Sequence, residues 1–318
     1  MKDNFIIENP LKEPVDVAVG IPSYNEADNI GFVASQVGEG LRKDFPDCRA
    51  AIINAENYSE DGTREVFLEA DSQGVQKVYL STPQRVKGKG NNFLNLFQYL
   101  NGFTPKAVSV VDADLISIGP EWVEALVKPV FEGYEFVSPY YARNEYDGTI
   151  TNHLCYPLLY GLLGKNIRQP IGGDFAFSGK LIDHWLATDW TESIRQYGVD
   201  IFMTLGALLA GYSTAQTSLG AKIHKPSAPK LGKMFTQVVD TLFRELLDAK
   251  DQWCLNGSRP LTPPVFDNNG YGLCEPQDLE IDYKVLKRQA LTAYEEINGS
   301  AHSVLPEELA SEINSMFE

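Results

Sequence analysis

Cysteine, histidine, methionine and tryptophan each occur only four times in the 318 residues of this chain. None of the cysteines pairs in a Cys-x-x-Cys motif, so neither a zinc site nor a disulfide framework is indicated. The chain has no run of about 18 to 20 apolar residues, which a membrane-spanning helix needs, and it does not open with the layout of a signal peptide. We therefore expect a cytoplasmic protein with reduced thiols and no membrane span.

Positive charge is also scarce, because 27 lysines and arginines face 43 aspartates and glutamates and the formal net charge is −16. Such a surface repels nucleic acid and anionic lipid, so we expect neither as a partner. A local basic cluster, Arg-Val-Lys-Gly-Lys-Gly at residues 85–90, stands out against this background. If the protein handles an anionic substrate, the negative groups should bind there.

Apolar segments with strand character alternate with amphipathic segments of helical periodicity. In the first part of the chain we predict strands at 15–21, 50–55, 76–81 and 106–112. The helices between and after them are predicted at 28–43, 61–71, 91–101 and 120–131. This alternation predicts an α/β fold with a doubly wound, mostly parallel sheet that carries helices on both faces.

The pattern changes after residue 131. Two further strands are predicted at 134–141 and 212–219. Helices are predicted at 151–164, 200–210, 230–250, 281–298 and 305–317. The segment 255–280 is rich in proline, glycine and asparagine and is expected to form a loop.

Asp112 and Asp114 close the buried strand predicted at 106–112. Open α/β sheets bind their ligands at the carboxyl ends of the strands. We predict that these two side chains, with one residue between them, point to opposite sides of the strand, so we do not expect a simple ion-binding pair. One carboxylate is expected to meet a divalent cation and the other a neighbouring hydroxyl, as a nucleotide-sugar diphosphate requires. An acidic turn is the alternative interpretation.

Polar residues also follow the first two predicted strands. The hexapeptide at 21–26 contains Pro22, Tyr24 and Glu26, and proline ends a strand ladder. A nucleoside would fit here, with Tyr24 against the base and Glu26 on a ribose hydroxyl, although a turn with a helix cap is the alternative. Asp61 would accept a hydrogen bond from the base, but an aspartate before glycine is often only a turn or cap.

A segment rich in glycine and lysine, Lys-Gly-Lys-Gly-Asn at 87–91, precedes the third predicted helix. Its glycines would let the backbone approach a diphosphate, and a helix N-terminus with lysine charge favours an anion. The segment is not a P-loop, and no Gly-x-Gly-x-x-Gly follows the first strand. An ATPase and a dinucleotide dehydrogenase are therefore disfavoured.

In their order and spacing these segments resemble the nucleotide-sugar glycosyltransferases of the GT-A fold. The segments that carry the resemblance are Ile-Pro-Ser-Tyr-Asn-Glu at 21–26, Asp-Gly-Thr at 61–63, Lys-Gly-Lys-Gly at 87–90 and Asp-Ala-Asp at 112–114. Others look like the retaining glucosyl-3-phosphoglycerate synthases and mannosylglycerate synthases: Tyr-Ala-Arg at 141–143, Gly-Thr-Ile-Thr at 148–151, Gln-Pro-Ile-Gly-Gly-Asp at 169–174, Tyr-Gly-Val-Asp at 197–200 and His224. The resemblance spans residues 15–225.

The resemblance implies a binding site for a UDP- or GDP-hexose donor. Its implied residues are Pro22, Tyr24, Glu26, Asp61, Lys89, Asp112, Gly172 and Gly173. The first four would contact the nucleoside, and Lys89 would approach the diphosphate. The two glycines would allow close backbone approach beneath the transferred sugar.

A metal site is implied as well. Asp114 is the implied principal ligand, His224 the second protein ligand, and Asp112 a residue near both the ribose and the metal. Carboxylate and imidazole ligands, completed by diphosphate oxygens and water, suit Mg²⁺ or Mn²⁺. Without the resemblance, His224 would be interpreted as part of a basic patch between Lys222 and Lys225.

Asp174 and Asp200 are the implied catalytic carboxylates. Asp174 would accept hydrogen bonds from sugar hydroxyls, and it departs from the related synthases, which usually carry glutamate at this position. Asp200 would lie nearest to the acceptor. There it would stabilise an oxocarbenium-like centre or orient the acceptor rather than act as a base.

Arg143 and Thr151 suit a carboxylate on the acceptor, because arginine offers a bidentate fork and threonine a hydroxyl. Their spacing matches the acceptor-binding pair of mannosylglycerate synthases. Phosphoglycerate-using enzymes typically carry an arginine inside the Gly-x-x-Thr segment, where this chain has Thr149. That departure favours an unphosphorylated hydroxy acid such as glycerate. A surface ion pair of Arg143 with Glu145 or Asp147 is the alternative.

We therefore expect a metal-dependent retaining glycosyltransferase that moves a hexose to a small hydroxy acid such as glycerate or 3-phosphoglycerate. Residues 1–114 would form the nucleotide-sugar-binding half and 115–228 the acceptor-binding half of one domain. Residues 229–318 would form a helical extension and a candidate homodimer contact.

Three other functions stay open. An inverting family-2-like glycosyltransferase acting on polysaccharide or lipid would often carry Gln-x-x-Arg-Trp and membrane helices, which this sequence lacks. A nucleotidyltransferase would carry its glycine-rich loop after the first strand. A non-catalytic nucleotide-sugar-binding protein is disfavoured because the carboxylates and His224 are retained.

Overall fold

The structure is a computed structural model, and it describes residues 5–144, 146–225, 231–253 and 261–267, with short further stretches between 270 and 292. The chain divides into two compact units, Met1–Gln277 and Asp278–Glu318. In the second unit the described residues between 283 and 292 are helical. The rest of the helix predicted at 281–298, and all of that at 305–317, lies outside the described residues.

A nine-stranded sheet forms the centre of the described part of the first unit. Its strands are β1 (Ile6–Glu8), β2 (Val17–Ser23), β3 (Ala50–Glu56), β4 (Gln76–Ser81), β5 (Ala107–Val110), β6 (Phe136–Ala142), β7 (Phe175–Ser178), β8 (Thr214–Ala221) and β9 (Val265–Phe266). Their order across the sheet is β1-β4-β3-β2-β5-β7-β6-β8-β9. Only β1 and β7 run antiparallel to their neighbours, which confirms the expected mostly parallel sheet.

Helices cover both faces of this sheet, as expected for a doubly wound fold. They are α1 (Ile30–Asp44), α2 (Thr63–Glu69), α3 (Lys89–Asn101), α4 (Glu121–Phe131), α5 (Tyr156–Leu163), α6 (Gly179–Leu186), α7 (Val199–Leu209) and α8 (Leu231–Asp248). Successive residues of β2 point to opposite faces. Val17 and Val19 pack in the core formed with α1, α2 and α4, whereas Ala18 packs in the core formed with α3, α6 and α7.

The antiparallel direction of strand β7 decides which residues lie next to one another at the site. It runs antiparallel between β5 and β6, so its first residue lies at the edge of the sheet where β5, β6 and β8 end. Phe175, the first residue of β7, pairs with Val110, the last residue of β5. Residues that follow β5 and residues that precede β7 therefore lie side by side.

The long helix α8 belongs to the first unit. Val238, Leu242 and Leu246 lie four residues apart on one face and share a buried cluster with Ile201 and Leu205 of α7. Helix α8, which begins beyond the expected boundary at 228/229, therefore packs on α7. No helix in the described part of the chain is both long and apolar enough to cross a bilayer.

Candidate active site

Three charged residues from distant parts of the chain meet at the carboxyl edge of the sheet. Asp112 follows β5, Lys89 is the first residue of α3, and Asp200 lies in the first turn of α7. Lys89 Nζ lies 3.0 Å from Asp112 Oδ1 and 3.0 Å from Asp200 Oδ2. One ammonium group thus joins a carboxylate of the expected donor half to one of the expected acceptor half.

A second ammonium group, that of Lys222, holds the other oxygen of Asp112. Lys222 directly follows β8, and its side chain is only 4% exposed. Its Nζ lies 2.8 Å from Asp112 Oδ2, 2.7 Å from Asp174 Oδ2 and 2.7 Å from Gly172 O. Because an ammonium group has three N–H donors, each donor of Lys222 has an acceptor.

Asp174 is completely buried beneath Asp112. Its carboxylate accepts hydrogen bonds from the Asp112 backbone N–H at 2.8 Å, from Lys222 and from the Tyr141 hydroxyl. Asp174 directly precedes β7, and in this position it supports Asp112 and Lys222. Its expected contact with a sugar hydroxyl stays a prediction.

The cluster holds more carboxylates than ammonium groups, and this balance shifts the pKa values of its members. Burial alone would raise the pKa of Asp112, but the charges of Lys222 and Lys89 outweigh burial and hold that pKa far below its usual range. Burial raises the pKa of Asp200, although Lys89 opposes the shift. Burial and then the charge of Asp112 raise the pKa of Asp114. A further cation beside Asp114 would therefore be stabilised.

Asp114 and His224 are brought together by the backbone. His224 forms an antiparallel bridge with Leu115, the residue after Asp114. His224 Nδ1 lies 2.7 Å from the carbonyl oxygen of Lys225, which can only accept, so Nδ1 carries the proton and Nε2 is left to bind a metal. A carboxylate oxygen and an imidazole nitrogen fit Mn²⁺ or Mg²⁺. The described residues contain no group of three acidic, histidine or cysteine side chains placed to hold a metal.

Asn29 fixes the turn that carries the two carboxylates. Its Nδ2 donates hydrogen bonds to the carbonyl oxygens of Ala113 and Leu115, each at 2.9 Å. The strand ends at Val110, so Asp112 and Asp114 lie in the turn beyond it. Residues two apart along a strand share a face, and both aspartates lie beyond the strand, so the expectation that they point to its opposite sides was wrong.

The residues expected to hold the nucleoside lie in the loops after β2 and β3. Asp61 accepts hydrogen bonds from the backbone N–H groups of Ala27 at 3.1 Å and Thr63 at 3.0 Å. Burial would raise the pKa of Asp61, but these hydrogen bonds lower it. Glu26 pairs with Lys225 at 2.6 Å. Asp61 thus ties the two loops together, and its contact with a base stays a prediction.

Tyr24 and Pro22 flank the same loop. The Tyr24 side chain is exposed, and Lys87 Nζ lies 3.9 Å from the centre of its ring in a cation–π contact. Pro22 lies within β2 and does not end it, since the strand continues to Ser23. The proline is tolerated there because the pairing of β2 with β5 stops at Gly20.

Gly88 and Gly90 allow close packing of protein backbone. A Cβ on Gly90 would lie 1.9 Å from Ile194 O, and one on Gly88 would lie 2.4 Å from Arg195 O. The Gly90 N–H donates to Gln196 O at 3.0 Å. The segment before α7 thus packs against the start of α3, and the approach of a diphosphate to this backbone stays a prediction. Lys89, between the two glycines, lies beside Asp112.

Gly172 and Gly173 pack beneath Asp112. Gly173 has a φ of +86°, which favours glycine, and a Cβ there would lie 2.3 Å from Asp112 Oδ2. A Cβ on Gly172 would lie 2.3 Å from Pro139 Cγ. The pair thus makes room for Asp112, and close approach to a sugar stays a prediction.

Arg143 lies beside the cluster and is largely buried. Its Nε lies 2.9 Å from Asp147 Oδ2, and its guanidinium donates to Gln169 Oε1 at 3.4 Å. The ion-pair alternative thus has the expected partner but lies in a buried rather than a surface position. Arg143 Cζ and Lys222 Nζ lie 5.6 and 5.3 Å from the centre of the same ring, that of Tyr141, so both cations border this cluster. Thr151 is buried in a one-turn π-helical segment, Thr151–Cys155.

Lys222, Tyr141 and Asn29 are site residues that sequence reasoning did not identify. The signal for Lys222 was its position two residues before His224. Tyr141 belongs to the segment 141–143 that carried the resemblance, but its hydrogen bond to Asp174 was not predicted. Asn29 was hidden because an asparagine before a helix is usually a cap.

The fold and the charges at this edge define a class of enzyme, the glycosyltransferases of the GT-A fold. Residues 18–186, more than half of the chain, match the family model Glycosyl transferase family 2. The chain belongs to this family. No curated protein matches the chain.

Solved structures are similar to this chain over most of its length. Glucosyl-3-phosphoglycerate synthase from Mycobacterium tuberculosis, in complex with Mn²⁺, UDP and phosphoglyceric acid, is 25% identical with a TM-score of 0.59, over 73% of this chain and 78% of that chain. The same synthase with Mg²⁺ and UDP is 24% identical with a TM-score of 0.59, over 73% and 79%. A further mycobacterial protein is 27% identical with a TM-score of 0.58, over 73% and 74%.

Proposed function

We propose that this glycosyltransferase transfers a hexose from a UDP- or GDP-sugar, with retention of configuration, to a small hydroxy acid such as glycerate or 3-phosphoglycerate. The observation that carries the proposal is the bridge of Lys89 between Asp112 and Asp200. It brings a donor-side and an acceptor-side carboxylate within reach of one ammonium group, as transfer between two bound substrates requires. The UDP and phosphoglyceric acid bound by the similar synthase support these ligand classes.

The donor would bind across the loops that follow β2, β3 and β5. Tyr24 and Asp61 would contact the base, and Glu26 a ribose hydroxyl. The ammonium group of Lys89 would then exchange its carboxylate partners for the diphosphate, since charge-assisted hydrogen bonds to phosphate oxygens replace those it gives up.

Asp114 and His224 would hold Mn²⁺ or Mg²⁺. When bound, the ion would supply positive charge that neutralises the leaving diphosphate. The fit of this pair rests on the backbone bridge between Leu115 and His224, which brings the ring beside Asp114, and on the oriented ring of His224.

Asp200 is the residue placed to act at the reacting sugar. Its Oδ2 is held by Lys89, whereas its Oδ1 is buried and has no hydrogen-bond partner among the described residues. Once Lys89 turns to the diphosphate, both oxygens would face the reaction. A carboxylate so placed would stabilise an oxocarbenium-like centre or orient the acceptor hydroxyl.

Arg143 would bind the acceptor carboxylate through its fork, with Thr151 as a second polar group. Its partly exposed partner Asp147, at 2.9 Å from Nε, would keep the guanidinium oriented. The donor half at 1–114 and the acceptor half at 115–228 would thus share one site. The region from 229 would contribute helix α8 and a candidate dimer contact.

A donor-by-acceptor screen tests the proposal. UDP-glucose and GDP-mannose are each mixed with glycerate or 3-phosphoglycerate in Mn²⁺ or Mg²⁺, and release of the nucleoside diphosphate is followed. We expect release that depends on the acceptor for at least one combination. Release that is the same with and without every acceptor would refute the proposed transfer.

Inverting transfer is the second candidate, and the raised pKa of Asp200 favours it. Burial raises that pKa, which suits a carboxylate that accepts a proton from an acceptor hydroxyl. The two candidates differ in the anomer that an α-linked donor yields. An α-linked product supports retention, and a β-linked product supports inversion.

A further inference from the structure

Each carboxylate oxygen of Asp112 forms an ion pair with a lysine ammonium group. Lys89 Nζ lies 3.0 Å from Oδ1, and Lys222 Nζ lies 2.8 Å from Oδ2. A divalent cation can bind Asp112 directly only if one of these groups is displaced. The two lysines differ in how easily that happens.

Lys89 is the exchangeable partner. Its side chain is 16% exposed, and it is shared between two carboxylates that belong to different parts of the fold. A diphosphate can accept the same hydrogen bonds, so Lys89 can leave both carboxylates and still have an anionic partner. Its departure frees Oδ1 of Asp112 and leaves Oδ2 held by Lys222.

Lys222 is the fixed partner. Its three N–H donors are used by Asp112, Asp174 and Gly172, at 2.7 to 2.8 Å. Moving it would leave the carboxylate of Asp174, which is 0% exposed, without a cation. Removing one partner of such a buried pair is strongly unfavourable.

We propose that Lys222 is a positioning residue that withholds Asp112 from direct metal coordination, so that Mn²⁺ or Mg²⁺ binds tightly only together with the donor diphosphate. This inference rests on the proposed function. Without the donor, Lys89 covers Oδ1 of Asp112 and Lys222 covers Oδ2, so only Asp114 and His224 are left as protein ligands for an ion that takes about six. The remaining positions then belong to diphosphate oxygens and water, which ties metal affinity to the donor.

Binding of Mn²⁺ to the full chain, followed by the electron paramagnetic resonance signal of the free ion, tests the proposal without any turnover. In the wild type we expect UDP to tighten Mn²⁺ binding by about tenfold or more, within the range of coupled binding. In Lys222→Met, Asp112 gains a free oxygen beside Asp114. We therefore expect Mn²⁺ to bind this variant about tenfold more tightly without UDP, and UDP to add less.

A second variant guards against loss of the fold. Lys222→Met combined with Asp174→Asn removes both members of the buried pair, so that no buried carboxylate is stranded at position 174. We expect the same gain in Mn²⁺ affinity without UDP. Near-ultraviolet circular dichroism reports whether each variant keeps the wild-type packing.

Lys77→Met is the matched control. The Lys77 ammonium group likewise makes three hydrogen bonds, here to the backbone carbonyls of Phe67, Leu68 and Ala70. It lies at the opposite end of β4 from the site. Its removal deletes a partly buried lysine of similar hydrogen bonding. We expect Mn²⁺ affinity, with and without UDP, to equal that of the wild type.

Separate results would overturn the role of Lys222 and the proposed function. Tight Mn²⁺ binding by the wild type without UDP, or no gain in affinity in both Lys222 variants, would overturn the role of Lys222. If calorimetry shows that neither UDP nor GDP binds in the presence of Mn²⁺, the proposed function itself fails. Donor binding with unchanged metal affinity in the folded variants rejects the inference alone.

Discussion

The ammonium group of Lys89 lies 3.0 Å from the carboxylate of Asp200, which is 111 residues further along the chain. The pair exists because α3 begins against the segment that leads into α7, where Gly90 lets the backbone of Ile194 approach closely. Packing of two helix starts therefore places the cation on the carboxylate. The site is assembled by this contact as much as by the sheet.

Removing Lys89 tests that assembly. Lys89→Met leaves Asp200 buried without its cation, so we expect a loss of about 3 kcal/mol in the free energy of unfolding, typical of a broken buried pair. Urea denaturation measures the loss. Lys89→Met combined with Asp200→Asn should recover much of this stability and none of the transfer activity. Equal stability of the single and double variants would show that the pair is not coupled.

Asp200→Asn should separate stability from activity. Because burial raises the folded pKa of Asp200 above its ordinary 3.8, the stability contributed by its neutral form is present below 3.8 and is lost as pH rises through the folded pKa. The variant avoids that loss, so we expect it to be at least as stable as the wild type at neutral pH. Its advantage should disappear in acid. We expect transfer to fall by about a hundredfold or more.

Thermal unfolding at neutral and acidic pH checks the prediction for Asp200→Asn. A variant that is less stable than the wild type at neutral pH would contradict the role of burial in raising the pKa of Asp200.

Gly90→Ala should disrupt the start of α3. Its Cβ would lie 1.9 Å from Ile194 O, and the three nearest atoms all belong to the backbone of Ile194 and Arg195, so no flexible side chain can move away. We expect a loss of about 3 kcal/mol by urea denaturation, at the upper end for overpacking. Gly161→Ala in α5 is the control, since its Cβ would meet nothing within 4 Å. That change should stabilise the protein by about 0.5 to 1 kcal/mol, and equal effects of the two substitutions would contradict the packing argument.

Asp114→Asn and His224→Ala should each abolish stabilisation by metal and nucleotide together. Binding at a hundredfold excess over Kd stabilises a folded protein by about 2.7 kcal/mol, which raises its melting temperature. We expect this rise in the wild type with Mn²⁺ and UDP, and its loss in both variants. His184→Ala is the control, because His184 lies in α6 and packs on Tyr212. A full rise in Asp114→Asn would remove Asp114 from the metal site.

The first four predicted strands and their helices are found close to their predicted bounds, because each carries a clear periodic signal. The elements that were not predicted include β1, β7 and β9, which are only two to four residues long. Such lengths are too short for periodicity to show. The antiparallel insertion of β7 is set by tertiary pairing with Val110, which a local pattern cannot reveal.

The site could be predicted where a motif carried it. The motifs placed Asp112 and Lys89 in one region at the carboxyl edge of the sheet, but their ion pair was not predicted. The position of Asp174 beneath Asp112 could not be predicted, because it follows from β7. Lys222 was missed for a different reason: a lysine after a strand normally extends into solvent.

The most direct test of the central claim is the anomeric configuration of the product. The full chain is incubated with Mn²⁺, UDP-glucose or GDP-mannose, and glycerate or 3-phosphoglycerate, and the anomeric proton is followed by NMR. The account predicts an α-linked glycoside formed together with the nucleoside diphosphate and only when the acceptor is present. A β-linked product, or no glycoside with any of these pairs, would contradict it.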